Sequence, residues 1–304
     1  MNKTVLIAGG TGLIGSRLSQ LLVEKGYNVL HLSRRKNLQA EIPAYAWDLN
    51  QMSVDEEAIT RSDIVVNLAG AGIADKPWTE ERKQLIIDSR VKSNRLLLDA
   101  FQRLGHQPEV YVAASAIGYY GDSGEAWVNE ESESGEGFLS KSVQIWEQPI
   151  QEAIASDLRT VALRIGLVLS TKGGALPKLL LPFYFFVGTY FGDGQQWYSW
   201  IHIDDLCRMF IQAIEDREMQ GVYNAVGPTP ERNKAFTRLV GEARNVPFLL
   251  FPAPVFALQL FLGEMSQTVL ISTKVSSEKI EKRGFTFQFE QLGEAVQDLL
   301  ARKI

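Results

Sequence analysis

Short apolar runs alternate with longer amphipathic stretches over the first two-thirds of the chain. Compact runs rich in β-branched residues are typical of buried strands, and apolar residues spaced three or four apart are typical of helices. The predicted strands are Thr4–Ala8, Asn28–Leu32, Ile64–Leu68, Glu109–Ala113 and Thr160–Ile165. The predicted helices are Leu13–Lys25, Thr79–Arg103 and Phe138–Ala155. This alternation predicts βαβ units around a parallel sheet.

The pattern changes after about Gly166, where proline and aromatic residues become more frequent. We therefore expect an α/β fold whose doubly wound parallel sheet spans residues 1–168, followed by a smaller, mainly α-helical domain over residues 169–304. The segment 221–227 again has the pattern of a buried strand. We expect that strand to return to the first sheet.

Composition excludes several classes of protein. With 45% hydrophobic and 22% charged residues, the chain can bury a core and is not a disordered protein. A net charge of -5 argues against a broad nucleic-acid-binding face, so we expect no nucleic-acid partner. The single cysteine, Cys207, and three scattered histidines leave little material for a metal site, and we expect none.

The sequence also argues against a membrane protein. The first residues lead directly into an apolar strand, so we expect no signal peptide. The most membrane-like stretch, Leu179–Phe191, is broken by Pro182 and Gly188 and is shorter than the ~20 residues of a spanning helix. We expect a soluble, cytoplasmic protein without a membrane partner.

The strongest chemical signal is the glycine-rich segment between the first predicted strand and helix. Gly10, Gly12 and Gly15 fit the pattern G-x-G-x-x-G, in which glycines permit a tight turn and close approach of a pyrophosphate to the helix N-terminus. The strand, turn and helix order predicts a Rossmann dinucleotide-binding domain. A glycine-rich turn without a ligand is the alternative. The candidate cofactor-binding residues are Gly9, Thr11, Gly12, Leu13, Ile14 and Gly15.

The end of the second strand indicates which dinucleotide is bound. An NAD site usually has an acidic residue there, whereas this chain has Ser33, Arg34 and Arg35. Guanidinium groups bind phosphate through a fork of charged donors, which suits the 2′-phosphate of NADP(H). We therefore expect NADP(H) rather than NAD(H). A solvated basic turn is the alternative.

Taken together, these motifs resemble the extended short-chain dehydrogenases/reductases, and within them the NAD(P)-dependent, epimerase-like branch with a C-terminal helical domain. The resemblance extends over nearly the whole chain. It rests on the segments 9–15, 33–34, 67–70, 89–90, 115–121, 146–147, 163–166, 200–206, 223–224, 252–254, 263–265 and 284–287.

The resemblance implies positions for the rest of the cofactor. Residues after the strand that ends near Leu68 would lie under the ribose and pyrophosphate, and Arg90 would face the phosphates. The alternative for Arg90 is a surface ion pair with Asp88 or Glu81. The further candidate cofactor-binding residues are Asp48 and Leu49 for adenine, Leu68, Ala69, Gly70 and Arg90 for ribose and phosphates, and Ser115, Gly166 and Val168 near the nicotinamide.

The catalytic motif departs from the family pattern. Typical members have a serine followed by Tyr-x-x-x-Lys on the next helix, in which the lysine lowers the pKa of the proton-donating tyrosine. Here Phe138 occupies the tyrosine position and Ser142 the lysine position. Lys141 is one residue away, about 100° around a helix. Hydride chemistry assisted by this tyrosine is therefore in doubt.

Ser115 and Tyr120 are the candidate catalytic residues, because Ser115 lies at the expected strand end and Tyr120 follows shortly after. Tyr119 and Lys141 are alternative proton donors. Tyr120 also has a structural interpretation, as does Ser115, whose hydroxyl can cap backbone groups.

Two further segments allow more than one interpretation. Asp204 precedes a helical pattern from Leu206 and is predicted to cap that helix, with a metal or acid–base pair involving His202 as the alternative. The aromatic-rich segment 179–200 fits a pocket wall, a homodimer face or simple core packing.

The sequence predicts an NADP(H)-binding oxidoreductase that moves hydride to or from a small carbonyl or hydroxyl compound. Two other functions remain open. One is a cofactor-binding sensor or assembly protein with little turnover, suggested by the missing Tyr-x-x-x-Lys. The other is a nucleotide-sugar epimerase with tightly held NAD.

Overall fold

The fold is organised around one large sheet in a computed structural model that describes residues 2–302. The strands are Thr4–Ala8 (β1), Asn28–Ser33 (β2), Ala44–Asp48 (β3), Ser53–Val54 (β4), Ile64–Asn67 (β5), Val110–Ala116 (β6), Trp127–Val128 (β7), Thr160–Ile165 (β8), Leu167–Leu169 (β9), Val187–Phe191 (β10), Trp197–Tyr198 (β11), Trp200–His202 (β12), Gly221–Ala225 (β13), Glu231–Arg232 (β14), Leu249–Ala253 (β15) and Lys274–Val275 (β16).

The α-helices are Leu13–Glu24 (α1), Glu56–Thr60 (α2), Glu80–Leu104 (α3), Gly137–Ile154 (α4), Ala175–Leu180 (α5), Ile203–Glu215 (α6), Asn233–Ala243 (α7), Val255–Leu262 (α8), Gln267–Leu270 (α9), Glu278–Lys282 (α10) and Leu292–Ala301 (α11). Short 3-10 turns cover Ile117–Tyr120, Leu181–Phe185 and Gly263–Ser266. Within residues 2–302, no helix combines the length and the apolar character needed to cross a membrane.

The large sheet has the strand order β13-β8-β6-β5-β1-β2-β3-β4. Neighbouring strands are parallel from β13 to β3, and only β4 is antiparallel to its neighbour. The strand order turns at β1, which lies between β5 and β2. This arrangement confirms the predicted doubly wound α/β fold, in which ligands bind outside the carboxyl ends of the strands at that turning point.

Both faces of the sheet are covered, which explains why its strands are continuous apolar runs. In β1 the alternate residues Val5 and Ile7 belong to a core shared with α1, α6 and α11, whereas Leu6 and Ala8 belong to a core shared with α2 and α3. All four side chains are fully buried.

The strand boundaries differ from the prediction where tertiary pairing extends them. β6 continues to Ala116, because Ser115 and Ala116 pair with Arg164 and Ile165 of β8. β13 lies beside β8 at the edge of the sheet. Pairing with β8 therefore makes β6 longer than the apolar run from which the strand was predicted.

The smaller C-terminal region is mainly helical and carries much of the exposed apolar surface. Every side chain of α8 keeps some exposure, and Phe256 and Phe261 are 73% and 82% exposed. The aromatic segment 179–200 divides between Phe183 in the core and Phe185 on the surface, which is 80% exposed.

The predicted N-cap at Asp204 is wrong. Helix α6 begins at Ile203, and its N-cap is His202, whose Nδ1 accepts a hydrogen bond from the Asp204 backbone at 3.1 Å. The Asp204 carboxylate instead accepts from Arg17 Nε of α1 at 2.7 Å and from Arg302 Nη2 at 2.7 Å. We call this three-residue contact the Asp204 clasp. It joins α1, α6 and the residue that follows α11.

The clasp predicts a pH-dependent loss of stability in Asp204→Asn. Burial alone would raise the pKa of Asp204, but hydrogen bonds from Arg17 and Arg302 hold it well below its usual range. The stabilisation is therefore complete above the unfolded pKa of about 4 and is lost as pH falls below it. We expect a loss of about 2 kcal/mol in the free energy of unfolding at pH 7, measured in urea.

Asp99→Asn is the matched control, because Asp99 is exposed on α3. The stability difference between Asp204→Asn and the unchanged chain should narrow below about pH 4. A difference that is constant from pH 7 to pH 3 would contradict this account.

Candidate functional site

The glycine loop lies at the carboxyl edge of the sheet, between β1 and α1. Gly9 has φ +81°, and a Cβ on it would lie 2.9 Å from the carbonyl carbon of Leu68. Its carbonyl accepts a hydrogen bond from the Gly12 N–H at 3.0 Å. The backbone of this loop can take this course only with glycine at position 9.

Two more glycines allow the helix, the loop and a buried histidine to pack closely. A Cβ on Gly15 would lie 2.3 Å from the Gly9 oxygen, and a Cβ on Gly10 would lie 2.2 Å from the His31 ring. His31 Nε2 is 2.8 Å from Ser19 Oγ, and burial lowers the pKa of His31. The histidine under the loop is therefore neutral at pH 7.

The N-terminus of helix α1 lies at the glycine loop and has no side-chain cap. Its N-cap, Gly12, offers no side-chain hydrogen bond, and its first turn has no acidic residue. Thr11 and Gly12 are exposed, whereas Leu13 and Ile14 are half-buried. Unpaired N–H groups and the positive end of the helix dipole at such a position favour a phosphate ligand.

The loop after β5 continues the same edge. Leu68 and Ala69 contact Gly9, and a Cβ on Gly70 would lie 2.6 Å from Arg90 Cζ. The end of β5 therefore lies against the glycine loop, and Arg90 of α3 lies against Gly70, which follows it.

Arg90 is a half-buried cation that has no counter-ion among residues 2–302. Its Nη1 donates to the carbonyls of Ala71 at 2.9 Å and Ile86 at 3.1 Å, and its guanidinium lies 4.6 Å from the Trp146 ring centroid. Within residues 2–302 it has no carboxylate within 4.0 Å, so neither Asp88 nor Glu81 forms the alternative ion pair. Burial lowers the pKa of Arg90 to about 10, which leaves it charged at neutral pH.

The residues proposed for the adenosine end lie at the adjacent strand ends. Arg34 and Arg35 are exposed, and neither side chain has an ion pair within the described part of the chain. Ser33 Oγ donates to the Arg35 carbonyl at 2.5 Å and shapes this turn. The Asp48 carboxylate accepts from the Asn50 N–H at 2.7 Å, and half-buried Leu49 lies inside that turn.

The strand ends proposed for the nicotinamide lie on the other side of β1. A Cβ on Gly166 would lie 2.5 Å from the Ser199 carbonyl oxygen, so only glycine fits between β8 and β9. Val168 pairs with Ile201 and is half-buried. A Cβ on Gly174 would lie 3.4 Å from Leu13 Cδ2, so this part of the chain passes close to the first residue of α1.

Ser115 belongs to a buried polar network that the sequence interpretation did not predict. Its hydroxyl donates to Glu147 of α4, and Glu147 accepts from Arg164 of β8 through Nε at 3.0 Å and Nη2 at 2.8 Å. Glu147 and Arg164 are 2% and 3% exposed. Two features of the sequence could have indicated this network. Glu147 lies on the apolar face of a predicted helix, and Arg164 lies inside an apolar strand.

Tyr120 lies at the other end of this network. Its hydroxyl accepts from Arg164 Nη1 at 3.1 Å and donates to Asn224 Oδ1 at 2.7 Å. Burial raises the pKa of Tyr120 to about 12. The Arg164 guanidinium lies 3.4 Å from the Tyr119 ring centroid. Both polar partners of Tyr120 are interior groups, and its catalytic role stays a prediction.

The tyrosine and lysine positions of the family motif have apolar or internal roles here. Phe138 packs edge-on against Trp78, with ring centroids 4.7 Å apart. Ser142 is buried and donates to the Phe138 carbonyl at 2.7 Å. Lys141 is exposed. No side chain in α4 therefore takes the place of the tyrosine.

Comparison with known proteins gives consistent matches along the chain. The model of the NAD dependent epimerase/dehydratase family matches residues 5–226. The model of a domain of unknown function, DUF1731, matches residues 253–299. The two matches together include the glycine loop, the Ser115 network and the C-terminal helical region.

Individual relatives are similar over their full length. The epimerase family protein SSP1921 of Staphylococcus saprophyticus is 36% identical over 98% of this chain and 99% of its own. The crystal structure of human epimerase family protein SDR39U1 with NADPH has a TM-score of 0.87 at 30% identity, covering 97% of this chain and 98% of that one. A Bacillus cereus UDP-glucuronic acid 4-epimerase in complex with UDP-glucuronic acid and NAD has a TM-score of 0.78 at 17% identity, covering 98% of both chains, and shows the fold alone.

The buried network predicts that two glutamates of α4 differ greatly in how much their substitution lowers the free energy of unfolding. Glu147→Gln should lower the free energy of unfolding by about 3–5 kcal/mol, because it leaves Arg164 buried without a carboxylate. Glu152→Gln, which breaks the exposed pair with Arg95, should cost less than about 1 kcal/mol. Urea unfolding at pH 7 measures both, and equal losses would show that the buried pair does not hold α4 to β8.

Proposed function

The chain belongs to the NAD dependent epimerase/dehydratase family, and from that premise we propose that it binds NADP(H) and transfers hydride to or from a small carbonyl or hydroxyl compound. The observation that carries the proposal is Arg90, a half-buried cation next to Gly70 that has no carboxylate partner among residues 2–302. Burying an uncompensated charge is costly, and a bound diphosphate offsets that cost.

The chain's residues fit a dinucleotide in three respects. Gly9 and Gly15 allow the close packing of strand, turn and helix that the dinucleotide fingerprint requires, because a Cβ at either position would collide with neighbouring backbone. Helix α1 offers uncapped N–H groups. Arg90 supplies a fixed positive charge next to Gly70. These groups would hold the pyrophosphate, and Gly166 and Val168 would border the nicotinamide.

The preference for NADP(H) rests on Arg34 and Arg35. Both are exposed at the end of β2, where an NAD enzyme would place an acid. Human SDR39U1 was crystallised with NADPH, which supports the same preference in this chain. The Bacillus cereus epimerase has NAD, so the fold by itself accommodates either dinucleotide.

Ser115 is the residue we propose to contact the reacting oxygen. When bound, the nicotinamide donates or accepts a hydride at C4. Ser115 donates to Glu147, so Glu147 orients the hydroxyl, and Arg164 keeps Glu147 in place. Tyr120 would supply the proton after its hydroxyl leaves Arg164 and Asn224.

Two other functions differ in what they require. A cofactor-binding sensor or assembly protein is favoured by Phe138 and Ser142, which leave α4 without the tyrosine and lysine of the family motif. A nucleotide-sugar epimerase is favoured by the family and would hold NAD tightly through turnover. Cofactor titration and turnover measurements separate the three.

Cofactor titration tests the assignment of the two arginine positions. We expect NADPH to bind more tightly than NADH. Arg34→Ala should weaken NADPH binding by about tenfold and leave NADH binding unchanged, because it removes a charge-assisted contact that only the 2′-phosphate makes. Arg90→Met should weaken both dinucleotides by similar factors. Protein fluorescence or calorimetry measures the dissociation constants of both dinucleotides for the unchanged chain and the two variants.

Arg217→Ala is the matched control, since Arg217 is exposed beyond α6 at the amino edge of the sheet. It should change neither constant by more than about twofold. Tighter binding of NADH than NADPH would contradict the role of Arg34. Unchanged binding in Arg90→Met would contradict the phosphate site.

Turnover tests the catalytic assignment. With NADPH and a panel of aldehydes and ketones, Ser115→Ala and Tyr120→Phe should each lower kcat by about a hundredfold or more with NADPH affinity retained. Tyr119→Phe is the control for its neighbour, and a loss there alone would identify Tyr119 as the proton donor. Full activity in both candidate variants would remove the assignment. NADPH binding with no turnover of any compound would favour the sensor.

A further inference from the structure

Arg82, in the first turn of α3, has an unusual environment that the cofactor site does not explain. Its side chain is 13% exposed, and its Nη2 donates to the Gly72 carbonyl. Its Nε is buried and has no hydrogen-bond partner among the described residues. The carboxylate of Asp75 lies 3.9 Å from Nη2 and is 68% exposed. A buried guanidinium is thus left with an unused donor.

The loop that contacts Arg82 is surrounded by positive charge. Arg90 donates to Ala71, Arg82 to Gly72, and Lys178 of α5 to Ala74 at 3.1 Å. Burial lowers the pKa of Arg90, and the nearby positive charge of Arg82 adds to that lowering because like charges repel. Asp75 is the single acid of this loop, and it is exposed. An anion at this loop would relieve the repulsion.

The same loop lies beside the helix that would border the reaction centre. Trp78 Nε1 donates to the Ile73 carbonyl at 2.9 Å, which fixes the loop to the start of α3. The Trp78 ring packs against Phe138, the residue at the family's tyrosine position. The apolar cluster of Trp78, Trp146 and Phe138 also includes Met265 from the C-terminal region. A ligand on Arg82 would therefore have apolar side chains next to it.

We propose that Arg82 binds an anionic group of the substrate, a carboxylate or a phosphate, and that this group replaces Asp75. Arg82 Nε and Nη2 form one edge of the guanidinium, which suits a bidentate oxyanion. The rest of the substrate lies against Trp78 and Phe138. The proposal rests on the proposed function, because it places the substrate beside the cofactor bound at Arg90.

Calorimetric titration of the NADPH-loaded protein with inorganic phosphate and with acetate tests the site, at constant ionic strength set by KCl. We expect one of the two anions to bind, and the one that binds identifies the group. Arg82→Gln should weaken binding of that anion by about tenfold or more. Asp75→Asn should strengthen its binding by about threefold, because the competing carboxylate is lost.

Arg95→Gln is the matched control, because it removes one charge from an exposed, paired arginine of the same helix. It should change anion affinity by less than about twofold. If Arg82→Gln does not fold, Arg82→Lys should still weaken anion binding, and Asp75→Asn should still strengthen it. Equal affinity in the unchanged chain and Arg82→Gln, or no effect of Asp75→Asn, would overturn the proposal.

The two proposals fail in distinguishable ways. Absence of NADPH binding to the unchanged chain overturns the cofactor assignment. The Arg82 site alone is overturned by a different pair of results. In that case Arg82→Gln changes the NADPH dissociation constant by less than about twofold, and neither anion binds to the NADPH-loaded protein.

Discussion

The buried ion pair between Glu147 and Arg164 is the interaction on which the geometry of the site depends. It fixes helix α4 against strand β8, and through Ser115 it also fixes the end of β6. Such a pair adds little stability relative to apolar residues of the same volume, but breaking it leaves a charge without compensation. Its effect is therefore positional: α4 has one register against the sheet, and this register determines where Phe138 lies.

The same helix connects the two halves of the site. Trp146, next to Glu147, lies under the Arg90 guanidinium. Arg90 in turn contacts Gly70 and the carbonyl of Ala71. The surroundings of Arg90 and the Ser115 network therefore both depend on α4, and a shift of that helix would move both. This dependence gives the charged pair in an otherwise apolar interior its structural role.

Much of the fold could be predicted from local sequence, because a parallel sheet covered on both faces needs continuous apolar strands and a tight glycine turn. The interactions that fix the site could not. Glu147 and Arg164 are far apart in sequence, and their pairing depends on the packing of α4 against β8. Asp204 has the local pattern of a cap, yet its partners are distant in sequence: Arg17 lies in α1 and Arg302 follows α11. Periodicity reports burial and turns, whereas ion pairs between distant residues leave no periodic signal.

The Asp204 clasp has a consequence for the order in which the protein matures. Arg17 belongs to α1, whereas Arg302 follows α11 and is synthesised long after it. A nascent chain can form the first βα unit early, but the Asp204 carboxylate receives its second guanidinium only after residue 302 has left the ribosome. Helices α1 and α6 and the residue after α11 thus belong to one cooperative unit, and a chain that has not yet reached Arg302 holds α1 less rigidly.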